Sequence, residues 1–176
     1  MNHIDLSALI SNYPDFPRKG IIFRDMNPLF RTDYALNYIS NELHSRFNSV
    51  TVDGIAGIES RGFVIATALA LNFDKGLIMI RKAGKLPGRT IKVSYDVEYG
   101  SAIMEIQKDA IKPRQKVLIA DDLIATGGSA IAAAHLIEEL GGIVTGFAFV
   151  VELTDLNGAN KLRALGYKVQ SLVVYD

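Results

Sequence analysis

Short apolar runs rich in β-branched residues recur along most of the chain, and longer helical patterns lie between several of them. The six runs with the length of buried strands cover residues 52–58, 77–80, 102–106, 117–120, 145–151 and 169–175. The helical patterns cover residues 62–71, 129–140 and 155–165. Strands that alternate with helices of this length predict an α/β fold, in which helices flank a mostly parallel sheet on both faces.

Residues 1–50 follow a different pattern. Helices are predicted over residues 4–10 and 34–47, and Pro14, Pro17 and Pro28 mark an irregular stretch between them. We interpret residues 1–35 as a hood laid over the sheet, within one domain that spans residues 1–176. No repeat, low-complexity tract or linker interrupts the sequence.

The composition argues against several classes of function. The 19 Lys and Arg residues balance the 19 Asp and Glu residues, so the net charge is zero, whereas a general nucleic-acid binder has a basic excess. The chain has no cysteine, which excludes disulfides, zinc–thiolate sites and thiol catalysis. Its polar beginning is unlike a signal peptide, and no stretch approaches the ~20 apolar residues of a membrane span. We expect a cytoplasmic protein that partners neither nucleic acid nor a membrane.

The most informative loop follows the apolar run at residues 117–120. In an open parallel sheet, ligands bind at the carboxyl ends of the strands. Two carboxylates and a loop of small residues follow this run and open a helix. They are Asp121 and Asp122, then Ala125, Thr126, Gly127, Gly128 and Ser129. Glycines allow backbone N–H groups to approach an anion, and a helix amino end adds partial positive charge, so the loop predicts a monophosphate site. No Lys follows the glycines and the G-x-G-x-x-G spacing is missing, so the loop is neither a Walker A loop nor a dinucleotide fingerprint.

The acidic pair extends this prediction to a phosphorylated ribose. Carboxylates beside a phosphate loop repel the phosphate, so Asp121 and Asp122 need another partner, such as ribose hydroxyls or a hydrated Mg²⁺. One site would then hold the 5-phosphate and the hydroxyls of the same sugar. The alternative is a strand-to-helix turn in which Ser129 caps the helix and the acids are solvated.

Two further loops carry positive charge. Glu59, Ser60 and Arg61 follow the run at 52–58 and precede a helix, which makes a second site suited to anions, unless Arg61 simply pairs with Glu59 on the surface. The run at 77–80 leads into residues 81–89, which contain four cations. A solvated basic face is the alternative there, but a pyrophosphate leaving group needs several positive charges.

Residues 83–100 combine three glycines, a proline and many polar residues, which indicates a mobile lid. Glu98 lies near its end. A carboxylate on a closing lid can act on the proton of a bound base or on a cationic sugar carbon. The alternative is a polar residue of a β-hairpin.

Residues 117–129 resemble the phosphoribosyl pyrophosphate signature of the type I phosphoribosyltransferases. Residues 13–25, 81–88 and 151–154 look like the corresponding segments of adenine phosphoribosyltransferases, and matches run from about residue 12 to the carboxyl end. The resemblance implies the type I fold with a hood and a lid, and a homodimer that acts in purine salvage. The implied reaction converts adenine and 5-phosphoribosyl 1-pyrophosphate (PRPP) into AMP and pyrophosphate with Mg²⁺.

The resemblance also implies roles for individual residues. Asp121 and Asp122 face the ribose hydroxyls, residues 125–129 wrap the 5-phosphate, and Mg²⁺ enters through PRPP, with Asp121 or Asp122 reaching it through water. Pyrophosphate is bound by Glu59, Ser60, Arg61, Arg81, Lys82, Lys85 and Tyr99, with a cis peptide before Ser60. Adenine is bound by Ile22, Phe23, Arg24 and Leu153, with Phe23 and Leu153 on its two faces. Glu98 is the catalytic residue.

Other functions stay open on the sequence alone. The same chemistry on hypoxanthine, guanine or xanthine is the near alternative. A regulator that keeps the fold to sense PRPP, or a nucleotide-binding module without turnover, is the distant one. Zero net charge, the lack of an appended DNA-binding domain and the intact lid count against a regulator.

Overall fold

A computed structural model of the chain describes residues 4–97 and 100–176, with the backbone alone at residues 96 and 97. Its strands are β1 (Ser11–Pro14), β2 (Ile22–Asp25), β3 (Gly54–Ile58), β4 (Leu77–Lys82), β5 (Thr90–Val97), β6 (Gly100–Gln107), β7 (Lys116–Ile124), β8 (Ile143–Leu153) and β9 (Val169–Tyr175). Its helices are α1 (Asn27–Phe30), α2 (Ala35–Arg46), α3 (Gly62–Phe73), α4 (Gly128–Glu139) and α5 (Gly158–Ala164). Two short 3₁₀ turns cover Ser7–Leu9 and Thr154–Leu156. Among the helices of the described residues, none is long and apolar enough to cross a bilayer.

A seven-stranded sheet in the order β5-β6-β4-β3-β7-β8-β9 forms the centre of the fold. The five strands from β4 to β9 in this order run parallel, and β6 and β5 extend the sheet as an antiparallel hairpin. The mostly parallel sheet predicted from the sequence is therefore confirmed. From β3 the chain moves outward to β4, then returns to β7 on the other side of β3 and continues outward to β9. This reversal places the topological switch point between β3 and β7, where open α/β sheets bind ligands.

The core consists of two apolar layers, one on each face of the sheet. Along β7, Val117 and Ile119 point into the layer under α4 and α5, whereas Leu118 and Ala120 point into the layer under α2 and α3. Both faces of the central strands are thus covered. This burial explains why these strands are continuous apolar runs rather than alternating patterns.

Three local predictions are wrong, each because neighbouring structure decides the conformation. Residues 4–10 form only a 3₁₀ turn, since Asp5 Oδ1 accepts the Ser7 N–H at 3.0 Å and β1 begins at Ser11. The predicted helix over 155–165 is interrupted at Asn157, which is left-handed (φ 58°). The irregular proline-rich stretch contains a hairpin, in which Tyr13 of β1 lies opposite Phe23 of β2.

The segment predicted as a lid is partly a strand. Residues 83–89 are a loop, and β5 pairs with β6 from Thr90 opposite Gln107 to Val97 opposite Gly100. Glu98 and Tyr99, which separate the two strands in the sequence, lie outside the described residues. The motion of the segment stays a prediction.

Candidate functional site

A cavity of about 310 Å³ opens at the switch point between β3 and β7. Its walls come from three segments that are far apart in the sequence, which are the loop after β3, the end of β4 and the carboxyl end of β7. They are lined by Glu59, Ser60, Arg61, Lys82, Asp121, Asp122 and Leu123. The structure therefore brings together acids and cations that the sequence analysis assigned to separate loops.

Arg61 connects two of these segments. Its Nε atom lies 2.8 Å from Oδ2 of Asp122, which is buried. The contact is an ion pair without hydrogen-bond geometry, so Asp122 Oδ2 remains a buried acceptor with no hydrogen-bond donor from the described residues. The alternative in which Arg61 pairs with Glu59 is wrong, because Glu59 has other partners.

Asp121 lies beside Asp122 and is also buried. Its Oδ1 atom accepts the backbone N–H of Asp122 at 2.8 Å. Burial and the neighbouring Asp122 carboxylate raise the pKa of Asp121 well above its usual range. The site requires glycine at position 62, since a Cβ there would lie 2.5 Å from Asp121 Oδ1. The pair is thus an acceptor-rich pocket that hydroxyl groups or a hydrated cation would satisfy.

Glu59, at the wall of the cavity, forms an ion pair with Arg81. Glu59 Oε2 accepts the Lys82 backbone N–H at 3.0 Å and Arg81 Nε at 3.2 Å. Burial on its own would raise the pKa of Glu59, but these hydrogen bonds and the Arg81 and Lys85 charges outweigh it and lower the pKa. Glu59 therefore stays ionised and fixes the backbone at Lys82. The Glu59–Ser60 peptide bond is cis, as the resemblance implies.

The predicted phosphate loop, residues 125–129, begins α4. Gly127 is the N-cap residue, with a left-handed backbone (φ 85°), and the helix has no side-chain cap. The alternative in which Ser129 caps the helix is therefore wrong. The left-handed position is Gly127, whereas Gly128 is the first residue of the helix. The N–H groups of the first turn have no capping side chain and can serve an anion.

Gly158 shapes the phosphate loop, and the sequence analysis missed it. Its N–H donates to the Ala125 carbonyl at 3.0 Å. A Cβ at Gly158 would lie 2.6 Å from the backbone N of Gly127, so the phosphate loop and the start of α5 touch through glycines. Lys161 Nζ adds a hydrogen bond to the Thr126 carbonyl at 3.1 Å. The Asn-Gly dipeptide at 157–158 is a turn signal that argued against a continuous helix there.

The hood reaches the cavity through Phe23. The Arg61 guanidinium carbon lies 5.5 Å from the centre of the Phe23 ring, and Phe16 packs edge-on against that ring at 5.2 Å. The Arg24 side chain is engaged elsewhere, 4.0 Å from the centre of the Tyr175 ring and hydrogen-bonded to Asn12. For Arg24, the predicted contact with a base therefore falls to its backbone rather than to its side chain.

Leu153 is half-buried at the end of β8, beside a buried acid that the sequence analysis also missed. Glu152 accepts hydrogen bonds from both terminal nitrogens of Arg163, at 2.8 and 2.9 Å, and from Ser171 at 2.8 Å. This network ties α5 and β9 to the end of β8. An acid inside a long apolar run was its only signal in the sequence.

Comparisons with known proteins agree with this geometry. A family model for the phosphoribosyl transferase domain matches residues 35–173. An adenine phosphoribosyltransferase of Nitrosopumilus maritimus is 52% identical over 172 residues, which are 98% of this chain and 100% of that protein. The crystal structure of adenine phosphoribosyltransferase from Thermoanaerobacter pseudethanolicus matches with a TM-score of 0.93 and 42% identity, covering 97% of this chain and 98% of that chain. The Saccharomyces cerevisiae protein of the same name, complexed with D-2,5-dideoxy-2,5-imino-altritol 1,6-bisphosphate and adenine, matches with a TM-score of 0.88, 42% identity and 96% of both chains.

Proposed function

Because the chain belongs to the adenine phosphoribosyltransferase family, we propose that the cavity between β3 and β7 is where it joins adenine to the ribose of PRPP. The protein is a pentosyltransferase that converts adenine and PRPP into AMP and pyrophosphate in purine salvage. The observation that supports this placement is the lining of the cavity, which combines two buried acids with Arg61 and Lys82 at the switch point.

Asp121 and Asp122 face the ribose hydroxyls in this proposal. The buried Oδ2 of Asp122 lacks a hydrogen-bond donor among the described residues, and a ribose hydroxyl would supply one. Loop 125–129 then receives the 5-phosphate. Its left-handed glycine and the uncapped first turn of α4 support that role.

In this proposal the pyrophosphate group lies between Ser60, Arg61, Lys82 and Lys85, and Tyr99, outside the described residues, is assigned to it as well. Arg61 and Lys82 supply positive charge at the cavity wall. Arg81 and Glu59 contribute indirectly. They form an ion pair with each other, and Glu59 fixes the backbone of Lys82. Positive charge held in place before the reaction stabilises the departing pyrophosphate without further rearrangement.

Adenine binds between the hood and the end of β8, with Phe23 and Leu153 on its two faces. The packing of Phe23 near Arg61 supports this position, since it places an aromatic ring beside the cavity. Within the described residues, β2 pairs only with β1, so its other edge presents backbone groups at Ile22 and Arg24. These groups can read the amino edge of the base.

Magnesium is proposed to arrive bound to PRPP, with Asp121 or Asp122 contacting it through water. Carboxylate oxygens are ligands that Mg²⁺ prefers, and the acceptor-rich pair fits a hydrated cation. When bound, the metal supplies positive charge for the leaving pyrophosphate.

The chain's own residues then have two tasks in the reaction. They hold a ring nitrogen of adenine in line with the anomeric carbon of PRPP, so that the new C–N bond forms as the bond to pyrophosphate breaks. The attacking nitrogen loses its proton, and Glu98 is proposed to accept it.

We also propose a homodimer built on the face formed by α2, α3 and β4. Apolar side chains are exposed there, among them Val64, Leu71, Leu77 and Met79. A groove of about 710 Å³ runs between α2 and α3. Exposed apolar side chains beside a groove suit a second copy of the chain. The cytoplasmic location and the absence of a nucleic-acid partner stay predictions from the sequence.

Product analysis tests the proposed function. Purified protein incubated with adenine, PRPP and Mg²⁺ should form AMP and pyrophosphate in equal amounts. A competition among adenine, hypoxanthine, guanine and xanthine then tests the base, and adenine should have the highest kcat/KM. A preference for an oxopurine would contradict the assigned base, and PRPP binding without turnover would indicate a sensor.

A further inference from the structure

Glu105 is a buried acid beneath the basic loop of residues 82–89. It lies on β6, directly opposite Arg81 of β4 on one side and Lys92 of β5 on the other. Only 1% of its surface is exposed. Burial of a carboxylate costs free energy unless its environment compensates for the lost water. The groups that contact Glu105 therefore indicate its role.

The partners of Glu105 are mainly the backbone of the basic loop. Oε1 accepts the N–H groups of Lys85 at 2.9 Å and Leu86 at 3.0 Å, and Oε2 accepts the Thr90 hydroxyl at 3.2 Å. Lys92 Nζ lies 3.7 Å from Oε2. Burial on its own would raise the pKa of Glu105, but these bonds and the Lys92 charge hold the pKa below its usual value, so the carboxylate stays ionised. One side chain thus holds both the middle of the loop and the start of β5.

A chain of hydrogen bonds leads from Glu105 to the cavity. The Lys85 carbonyl accepts Arg81 Nη1 at 3.2 Å, and Arg81 Nε in turn contacts Glu59. Glu59 accepts the backbone N–H of Lys82, and Lys82 lines the cavity. Displacement of the loop at Lys85 would therefore disturb the contacts that set the position of Lys82.

We propose that Glu105 is a positioning residue, which holds the basic loop in the conformation that receives the pyrophosphate group of PRPP. The three cations of the loop, Lys82, Lys85 and Arg89, repel each other, and an anion beneath the loop offsets that repulsion. Glu105 accepts the backbone N–H of Lys85 and does not pair with its ammonium group, so it fixes the loop without neutralising that charge. The inference rests on the proposed function.

Calorimetry with two ligands tests it. PRPP carries the pyrophosphate group, whereas AMP shares only the 5-phosphate, the ribose and the base side of the site. Glu105→Gln keeps the shape but removes the charge and one acceptor oxygen. We expect the Kd for PRPP with Mg²⁺ to rise about tenfold or more, because small misplacements of binding groups are costly. The Kd for AMP should change less than about twofold on the same reasoning. Lys92→Gln is the matched control, since its exposed ammonium group touches the same carboxylate, and both affinities should stay at the wild-type values.

Thr90→Val provides a second route that does not alter the buried acid. It removes one hydrogen-bond donor to Glu105, at an edge strand that accommodates valine. It should weaken PRPP binding selectively, but by less than Glu105→Gln does. Equal weakening of both ligands would overturn the inference, since it would indicate a general structural role. Unchanged PRPP affinity in either folded variant would overturn it as well. Wild-type protein that binds AMP but not PRPP would instead contradict the proposed function, and the inference with it.

Discussion

The Nε atom of Arg61 lies 2.8 Å from Oδ2 of Asp122, and this ion pair joins the loop after β3 to the carboxyl end of β7. It gives the acidic pair a cationic neighbour within the chain. It also holds the guanidinium group at the wall of the cavity, close to the Phe23 ring. The proposed ribose, pyrophosphate and base subsites therefore meet at this one contact.

Asp122→Asn tests the ribose subsite. The variant keeps the side-chain shape but loses the ion pair and an acceptor for a hydroxyl group. Hydrogen bonds to charged groups contribute about 1.5–3 kcal/mol, so affinity for PRPP should fall roughly 10- to 150-fold in calorimetry. Asp109→Asn, at an exposed turn, is the control. Full affinity and turnover in Asp122→Asn would remove the ribose assignment.

Gly158→Ala tests the contact beneath the phosphate loop. The added Cβ would lie 2.6 Å from Gly127 N, so the phosphate loop must shift. Overpacking of this kind typically costs about 1–3 kcal/mol of free energy. The free energy of AMP binding should become less favourable by a similar amount. Gly76→Ala is the matched control, because its Cβ would meet no atom within 4 Å. If both variants bound AMP like the wild type, Gly158 would have no part in shaping the site.

Glu98→Gln tests the predicted catalytic residue. General acid–base assistance contributes about 10²–10⁴-fold, so single-turnover rates should drop within that range. PRPP and AMP affinities should change far less, since the loops at 59–61, 81–85 and 125–129 are unaltered. Lost PRPP affinity with an unchanged chemical step would make Glu98 a binding residue instead.

The Glu152–Arg163 pair predicts a dependence of stability on pH. Hydrogen bonds from Arg163 lower the pKa of Glu152 from its usual value of 4.5, against the opposing effect of burial. The unfolded chain therefore binds this proton more readily, so the stabilisation is present above about pH 4.5 and is lost as the pH falls below it. The free energy of unfolding should thus fall less between pH 7 and acid pH in Glu152→Gln than in the wild type. Parallel pH profiles would show that the pair adds no such stabilisation.

Leu71→Glu tests the proposed dimer face. Leu71 is 79% exposed on α3, and sedimentation of the wild type should give twice the chain mass of 19.2 kDa. A buried charge at an apolar interface is costly, so the variant should be monomeric. Leu165→Glu, at an exposed leucine after the end of α5, should leave the dimer intact. A monomeric wild type would contradict the dimer proposal directly.

The parallel strands β3, β4, β7, β8 and β9 were readable from the sequence because strands that are buried on both faces form continuous apolar runs. Residues 117–120 are apolar on both faces, and the structure places them in the centre of the sheet. Local signals were weaker where tertiary contacts decide the backbone. The loop after β8 contacts the phosphate loop through Gly158, and that contact accompanies the left-handed turn at Asn157.

The sequence by itself determined where the candidate site residues lie, since acids, cations and glycines follow apolar runs where a parallel sheet gathers its loops. Only the tertiary structure decided how they pair. Arg61 pairs with Asp122 and not with Glu59, and Glu105 lies beneath the basic loop, because strand order and register set the distances between residues remote in the chain. A linear pattern records burial and turn chemistry, but it contains no information on which loop faces which. That depends on how the strands are ordered around the switch point.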